Sequence, residues 1–294
     1  MKNPFSFAVS HLLKLYGATL QPLLRERFID QNIMRLPGAD KAFALAGNLF
    51  RLGRVPFAGE RFPWLDPAKS NVSWIPINLG IAGADNIALP EEVLGRLIER
   101  ASHRVIMNFC PCRQVNGCTH YPVETGCLMM GDSALKIPEK SRREVGVEEA
   151  KAHVRKAVEA GLVPILGKAR VDNSLFMIPD EGKLLTTCFC CECCCITRYM
   201  RHVPPETLDK IQHPVEGLAI EVTDACTGCG ACVSSCYIGA MEIKDGKASM
   251  GPLCRLCGRC AMACPQKAIQ LVLDNSHAID DVVARIESAV NHRA

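Results

Sequence analysis

The chain of 294 residues has no apolar run approaching the length of a membrane span, which leaves no expectation of a membrane-crossing helix. Its formal charge of +3 is too small to argue for a nucleic-acid partner. Nowhere does G-x-G-x-x-G follow a strand pattern and open a helix, and GKARVDN and GDSALK lack the spacing of a phosphate loop, so no nucleotide site is expected. The hydrolase elbow G-x-S-x-G is also missing. In the opening MKNPFSFAVSHLLKLYGATL, Ser10, His11 and Lys14 interrupt any export-signal core, and no clear cleavage site follows. The expectation is a folded protein in a reducing cytoplasm.

Cysteine is abundant, with 18 residues. Disulfide-dense scaffolds are usually short and secreted, so in a chain of this length clustered cysteines read as metal ligands or redox groups. The segment CFCCECCC places Cys188, Cys190, Cys191, Cys193, Cys194 and Cys195 within eight positions. Neighbouring cysteines seldom reach the Cα separation and dihedral that a bridge demands, and adjacent thiols would exchange partners. Thiolates directed at metal are the better expectation.

An internal repeat lies near the C-terminus. CTGCGACVSSCYIGAMEI at 226–243 and CRLCGRCAMACPQKAIQL at 254–271 align with a period of 28, each reading C-x2-C-x2-C-x3-C. Such a loop wraps three thiolates around one face of a cuboidal [4Fe–4S] cluster and takes the fourth from elsewhere, here from the other copy. Small residues at Gly228, Gly230, Ala231, Gly258 and Ala261 would let backbone amides approach the cluster sulfurs. Paired zinc knuckles are the competing reading of such cysteines, and they do not usually place four in one run. Over about residues 218 to 273 the chain resembles the bacterial two-cluster ferredoxins. The resemblance implies that Cys226, Cys229 and Cys232 with Cys264 hold one cluster, and Cys254, Cys257 and Cys260 with Cys236 the other. Pro265 follows the family pattern, whereas Tyr237 stands where the first copy would usually carry proline.

Ten cysteines remain: Cys110, Cys112, Cys118 and Cys127, and the six of the 188–195 run. They suffice for two four-thiolate clusters with two left over, or for one cluster and several buried thiols. Buried small hydrophobes are the ordinary reading of one cysteine, but six in eight residues would be an oxidation hazard. On an extended chain adjacent residues point opposite ways, so Cys190 and Cys191, or Cys193 and Cys194, would face different centres. Iron–sulfur is the first expectation, with zinc or a thiol redox centre as the alternative. Arg113 would offset cluster charge or sit at the surface. His120 is expected to be structural, Glu124 to bind a backbone turn, and the Glu192 carboxylate to face solvent. The segments Cys110–Arg113, Glu124–Leu128 and Cys188–Cys195 resemble a set of anaerobe proteins with CxCR, ET-x-CL and CxCCxCCC ahead of a two-cluster ferredoxin domain.

The fold class expected is α/β or α+β, in four parts. Residues 1–61 read as helical and basic, with +5 of charge against −2 in the remainder. Residues 62–213 read as a small α/β cysteine-rich domain. In it VSWIPINL, HRVIMNF, LVPIL and LFMIP are strands, and LPEEVLGRLIERA and VGVEEAKAHVRKAVEAG are helices. Residues 214–275 form the two-cluster domain, and 276–294 a helix packing back on the protein. The function expected is single-electron relay to or from a partner redox enzyme. The alternative is an iron–sulfur reductase in which a centre of the 110–195 module acts on a small substrate. Cofactors expected are two [4Fe–4S] clusters in the C-terminal domain and one or two further clusters in the module. A redox partner protein or complex is expected, with docking on it or on the inner membrane face through the N-terminal helices.

Overall fold

The computed structural model describes residues 33–54, 63–77, 81–82, 89–236 and 238–294. The leucine-rich pattern of residues 1–32, expected to be helical, and Tyr237 lie outside the described residues. In chain order the strands are β1 (Asn71–Trp74), β2 (Ile81–Ala82), β3 (Arg104–Met107), β4 (Leu128–Met130), β5 (Arg142–Glu144), β6 (Val163–Lys168), β7 (Leu185–Cys190), β8 (Gln212–His213), β9 (Leu218–Val222), β10 (Met241–Lys244), β11 (Lys247–Met250) and β12 (Ile269–Leu273). Helix and sheet are mixed, as the α/β reading requires.

Seven strands form one sheet in the order β5-β3-β4-β7-β6-β1-β8. Every neighbouring pair is antiparallel except β1 with β8. Strands β3, β4 and β6 are almost wholly apolar and buried, the pattern of strands covered on both faces. The helices Leu89–Arg100 and Val147–Glu159 supply cover by burying Val93, Leu94, Leu97 and Ile98, and Ala150, Val154 and Ala157. Glu91 and Glu92, and Glu148 and Glu149, sit in their first turns, where acidic groups suit the helix dipole. The helix Ala278–Ala289 packs Val282, Val283 and Ile286 into the same core, while its Arg285 donates to Asn71 and Ser73 of β1.

One element differs from the expectation. LFMIP is not a strand: the helix Arg170–Leu175 runs into it, and Phe176 and Ile178 donate backbone N–H groups back to Asp172 and Asn173. Its apolar side chains, Phe176 and Ile178, are buried against Val105 and Met129, so the run reflects core burial and not extension.

A second sheet has the order β2-β12-β9, with β9 antiparallel and β2 parallel to β12. A segment of the cysteine-rich domain, ahead of its first cysteine, thus adds a strand to the C-terminal repeat. One hydrophobic cluster runs from Leu128, Met130 and Leu185 of the large sheet to Leu218, Ile220, Ile269 and Leu271 of the small one. Among the described residues no helix is long and apolar enough to cross a membrane.

Candidate metal centres

Strand β7 alternates, so Cys188 and Cys190 share a face while Phe189 points the other way, edge-on to His153. Cys188 Sγ lies 3.6 Å from Cys127 Sγ, and Cys190 Sγ 2.9 Å from Cys195 Sγ. The Cys112 thiol perturbs, and is perturbed by, those of Cys195 and Cys110, and the Cys188 thiol likewise that of Cys190. Cys110 caps the short helix Pro111–Val115 just ahead of its N1 proline, bringing Cys112 to the same wall. Six thiols, those of Cys110, Cys112, Cys127, Cys188, Cys190 and Cys195, are thereby set as a ring around one space. They line a cavity of about 130 Å³ whose other walls are mostly apolar, with Val171, Phe176 and Met200 among them.

After Cys190 the extended chain ends and residues 191–195 turn. Alternation therefore separates Cys190 from Cys191 but not Cys193 from Cys194, which fall in one group. Cys118, Cys191, Cys193 and Cys194 place their sulfurs within 4.8 Å of one another. Cys118 Sγ lies 3.6 Å from Cys193 Sγ. The ten cysteines outside the repeat thus fall into a ring of six and a set of four, with Cys191 of the four also bordering the cavity of the ring.

Arg113 separates the two. It is 1% exposed, so it is no surface residue. Its guanidinium donates to the carbonyls of Pro122, Phe189 and Thr125, and no carboxylate among the described residues pairs with it. Burial opposes its charge, but the sulfurs of Cys110, Cys191 and Cys127 outweigh that and hold it firmly protonated. A buried cation needs buried anions, and the thiol groups on its two sides are the ones present. Within the ring, the Cys112 thiol pulls Cys110 down to about 7, and the Cys112 and Cys190 thiols hold Cys195 well below the ordinary thiol range. Asp172 lines the same cavity, and burial pushes its carboxyl up to about 7 despite a hydrogen bond with Thr186.

In the C-terminal repeat, Cys226, Cys229, Cys232 and Cys264 surround one small cavity, and Cys236, Cys254, Cys257 and Cys260 surround another. Gly230 and Gly258, one repeat apart, both have φ of 79° and start the short helices Ala231–Ser235 and Arg259–Ala263, a conformation that favours glycine. Backbone amides bond the sulfurs from residues the motif does not single out. Ala240 donates to Cys236, Ala268 to Cys264 and Ala248 to Cys226, each at 3.3 Å. The amides of Ala248 and Gly228 hold the Cys226 thiol below its usual range. Residues 225–269 match the family model of a 4Fe-4S dicluster domain. The C-terminal repeat is therefore an iron–sulfur, ferredoxin-like domain. No curated protein and no solved structure matches the chain.

The domain meets the set of four through a polar cluster around Arg259. Glu192 faces Arg259 at 2.7 Å and accepts from the Tyr121 hydroxyl at 3.1 Å, while Arg259 also bonds Tyr121 and the Gly161 carbonyl. The Glu192 carboxylate is thus engaged, contrary to the solvent-facing expectation, because a basic residue lies across the interface. The signal for Arg259 was present in the repeat, where the first copy has Ala231 at the same register. His120 is exposed; its backbone N–H, with that of Tyr121, faces the Cys118 sulfur. Glu124 is also exposed, and among the described residues its side chain bonds no backbone turn, contrary to the expectation. Trp74 borders the second repeat cavity and bonds Gln212, which lines the six-thiol cavity. Neither Trp74 nor Asp172 belongs to a recognisable motif.

Proposed function

We propose that this is a multi-cluster iron–sulfur protein that relays single electrons to or from a partner redox enzyme. One observation carries the reading: Cys190 and Cys195 of the ring share a hydrophobic cluster with Trp74, and Cys236, Cys254 and Cys257 of the dicluster domain pack against that cluster. Thiol sets from both parts of the chain are thus gathered against one apolar core. Iron–sulfur clusters supply one-electron exchange with little change in ligation. Cys226, Cys229, Cys232 and Cys264 would hold one [4Fe–4S] cluster, and Cys236, Cys254, Cys257 and Cys260 the second. The six-thiol ring would hold a further iron–sulfur centre, with Arg113 as its countercharge and apolar walls excluding water.

Docking on the partner would use the N-terminal region, where Leu45, Leu49 and Leu52 lie exposed beside Lys41, Arg51 and Arg54. A second reading, an iron–sulfur reductase, is favoured by Asp172, a half-buried carboxyl on the wall of the ring cavity, placed where a small substrate there would need a proton. It requires a substrate whose reduction is lost in Asp172→Asn at unchanged iron content.

The test is iron and sulfide quantitation with low-temperature EPR on full-length protein purified without oxygen. The dicluster domain accounts for about eight irons, and a further cubane would add about four. Cys190→Ser should remove the excess and spare the C-terminal signals. Iron stopping at about eight, with the ring thiols freely alkylated in the native protein, would overturn the reading.

A further inference from the structure

The set Cys118, Cys191, Cys193 and Cys194 is built differently from the other cysteine groups. We propose that it binds one divalent metal ion, zinc or ferrous iron, through four thiolates, as a site separate from any iron–sulfur cluster. The proposal rests on the reading of the cysteine-rich module as metal-binding and adds a different kind of centre to it.

Spacing is the first argument. A tetrahedral ion with metal–sulfur bonds of about 2.3 Å holds its sulfurs about 3.8 Å apart. Here all four sulfurs lie within 4.8 Å of one another, and the Cys118–Cys193 pair is at 3.6 Å. A cuboidal cluster interposes four irons and spreads its thiolates further. The dicluster domain supplies the yardstick inside the same molecule. Its eight cysteines are all described, yet among the described residues only the Cys118 set gathers its ligand atoms this tightly.

Backbone placement is the second. Three of the sulfurs come from one turn, 191–194, and the fourth from a loop more than seventy residues earlier, so an ion would cross-link two segments that share no strand pairing. Both segments are already aimed. The Cys118 amide donates to the Arg113 carbonyl, and the N–H groups of His120 and Tyr121 bond the Cys118 sulfur. Asn116 ties the Cys112 and Cys194 carbonyls together, and Arg198 holds the Cys193 carbonyl at 2.6 Å.

Charge is the third. Each cysteine that binds gives up its thiol proton, so four thiolates on a divalent ion leave a complex of charge −2. Arg113 bonds Cys191 from one side, and Arg198 stands beside Cys193 on the other. Two cations therefore flank the site from within the protein, which suits a closed four-ligand site with no open position.

The experiment uses the full-length chain, purified without oxygen, with zinc, iron and acid-labile sulfide measured together. The expected result is one ion per chain in excess of the iron that sulfide accounts for. Cys118→Ser with Cys193→Ser should remove that ion and leave sulfide and the dicluster EPR signals unchanged. Loss of zinc identifies a structural ion, and loss of iron without sulfide a redox-active one; either supports the site. Loss of about four irons together with their sulfide, or no loss of metal, overturns it. Should the double variant fail to fold, growth with Co²⁺ provides the second measurement. The tetrathiolate cobalt bands of the parent should shift in Cys118→His, which keeps a tetrahedral donor; absent or unshifted bands overturn the proposal. Because cluster content is read in the same samples, failure of this site leaves the electron-relay reading separately testable.

Discussion

At the scale of single residues, Arg113 and His292 show the two outcomes of burying a titratable group, one in which neighbours outweigh burial and one in which burial wins. Arg113 carries a charge that no carboxylate among the described residues neutralises, so its partners are the sulfurs around it. Arg113→Gln removes a cation beside both cysteine groups and should lower the reduction potential of the ring centre by roughly tens of millivolts. A redox titration followed by EPR reads this, and an unchanged potential would show that the guanidinium does not act on that centre. The variant also leaves up to three buried carbonyls without a donor, at about 1–3 kcal/mol for each left dry. His292 is fully buried, with Nε2 at 3.2 Å from the Leu97 carbonyl. Burial lowers its pKa. In the unfolded chain this histidine takes up a proton as pH falls through about 6.5, whereas in the fold it resists until lower pH. Its contribution to stability is therefore complete above that value and declines as pH drops towards the depressed folded pKa. His292→Gln should flatten this part of the melting profile between about pH 7 and about 5, and parallel profiles would show that His292 is not the group responsible.

At the scale of elements, the ET-x-CL segment shows a glycine fixed by close approach. A Cβ on Gly126 would sit 2.1 Å from the Met107 carbonyl oxygen, a backbone atom that cannot swing away. Gly126→Ala should cost about 1–3 kcal/mol. It should also displace Cys127 from Cys188 and weaken the ring centre; a native melting temperature with full iron content would contradict this. Much at this scale could be read from sequence. VGVEEAKAHVRKAVEAG contains the helix Val147–Glu159 with Gly161 at φ 78°, and all of LVPIL but its first leucine lies in β6. LFMIP could not be read correctly, because a short apolar run looks the same whether strand pairing or burial of a helix end explains it. The repeat announced its own chemistry through spacing. The division of the other ten cysteines stayed hidden, since it depends on where β7 stops and the 191–195 turn starts. It also depends on Cys118 and Cys127, nine residues apart in sequence, going to different groups.

At the scale of the whole molecule, β2 pairing with β12 and the shared hydrophobic cluster bind the cysteine-rich module to the dicluster domain, leaving the N-terminal helix Ala39–Asn48 as the outlying element. Its inner side is committed: Gly47 lies against the Tyr199 ring, and Phe50 just beyond is fully buried. Its outer side is not, because Leu45 is 69% exposed and Leu49 and Leu52 continue the row at helical spacing. Single exposed leucines are ordinary, but a row of them beside Lys41, Arg51 and Arg54 combines apolar area with positive charge. A partner offering an apolar groove rimmed by acidic groups would bury the leucines and pair the bases, the second contribution weakening as salt rises. Replacing Leu45, Leu49 and Leu52 with serine should therefore lower affinity for the proposed redox partner at all salt concentrations. Replacing Lys41 and Arg51 with glutamine should lower it at low salt only. Both variants should retain the parent iron content, since none of these five side chains borders a cysteine group. Binding isotherms against the partner complex, or against anionic vesicles where the partner is a membrane surface, separate the two contributions. Parent affinity in both variants would place docking on another face of the molecule.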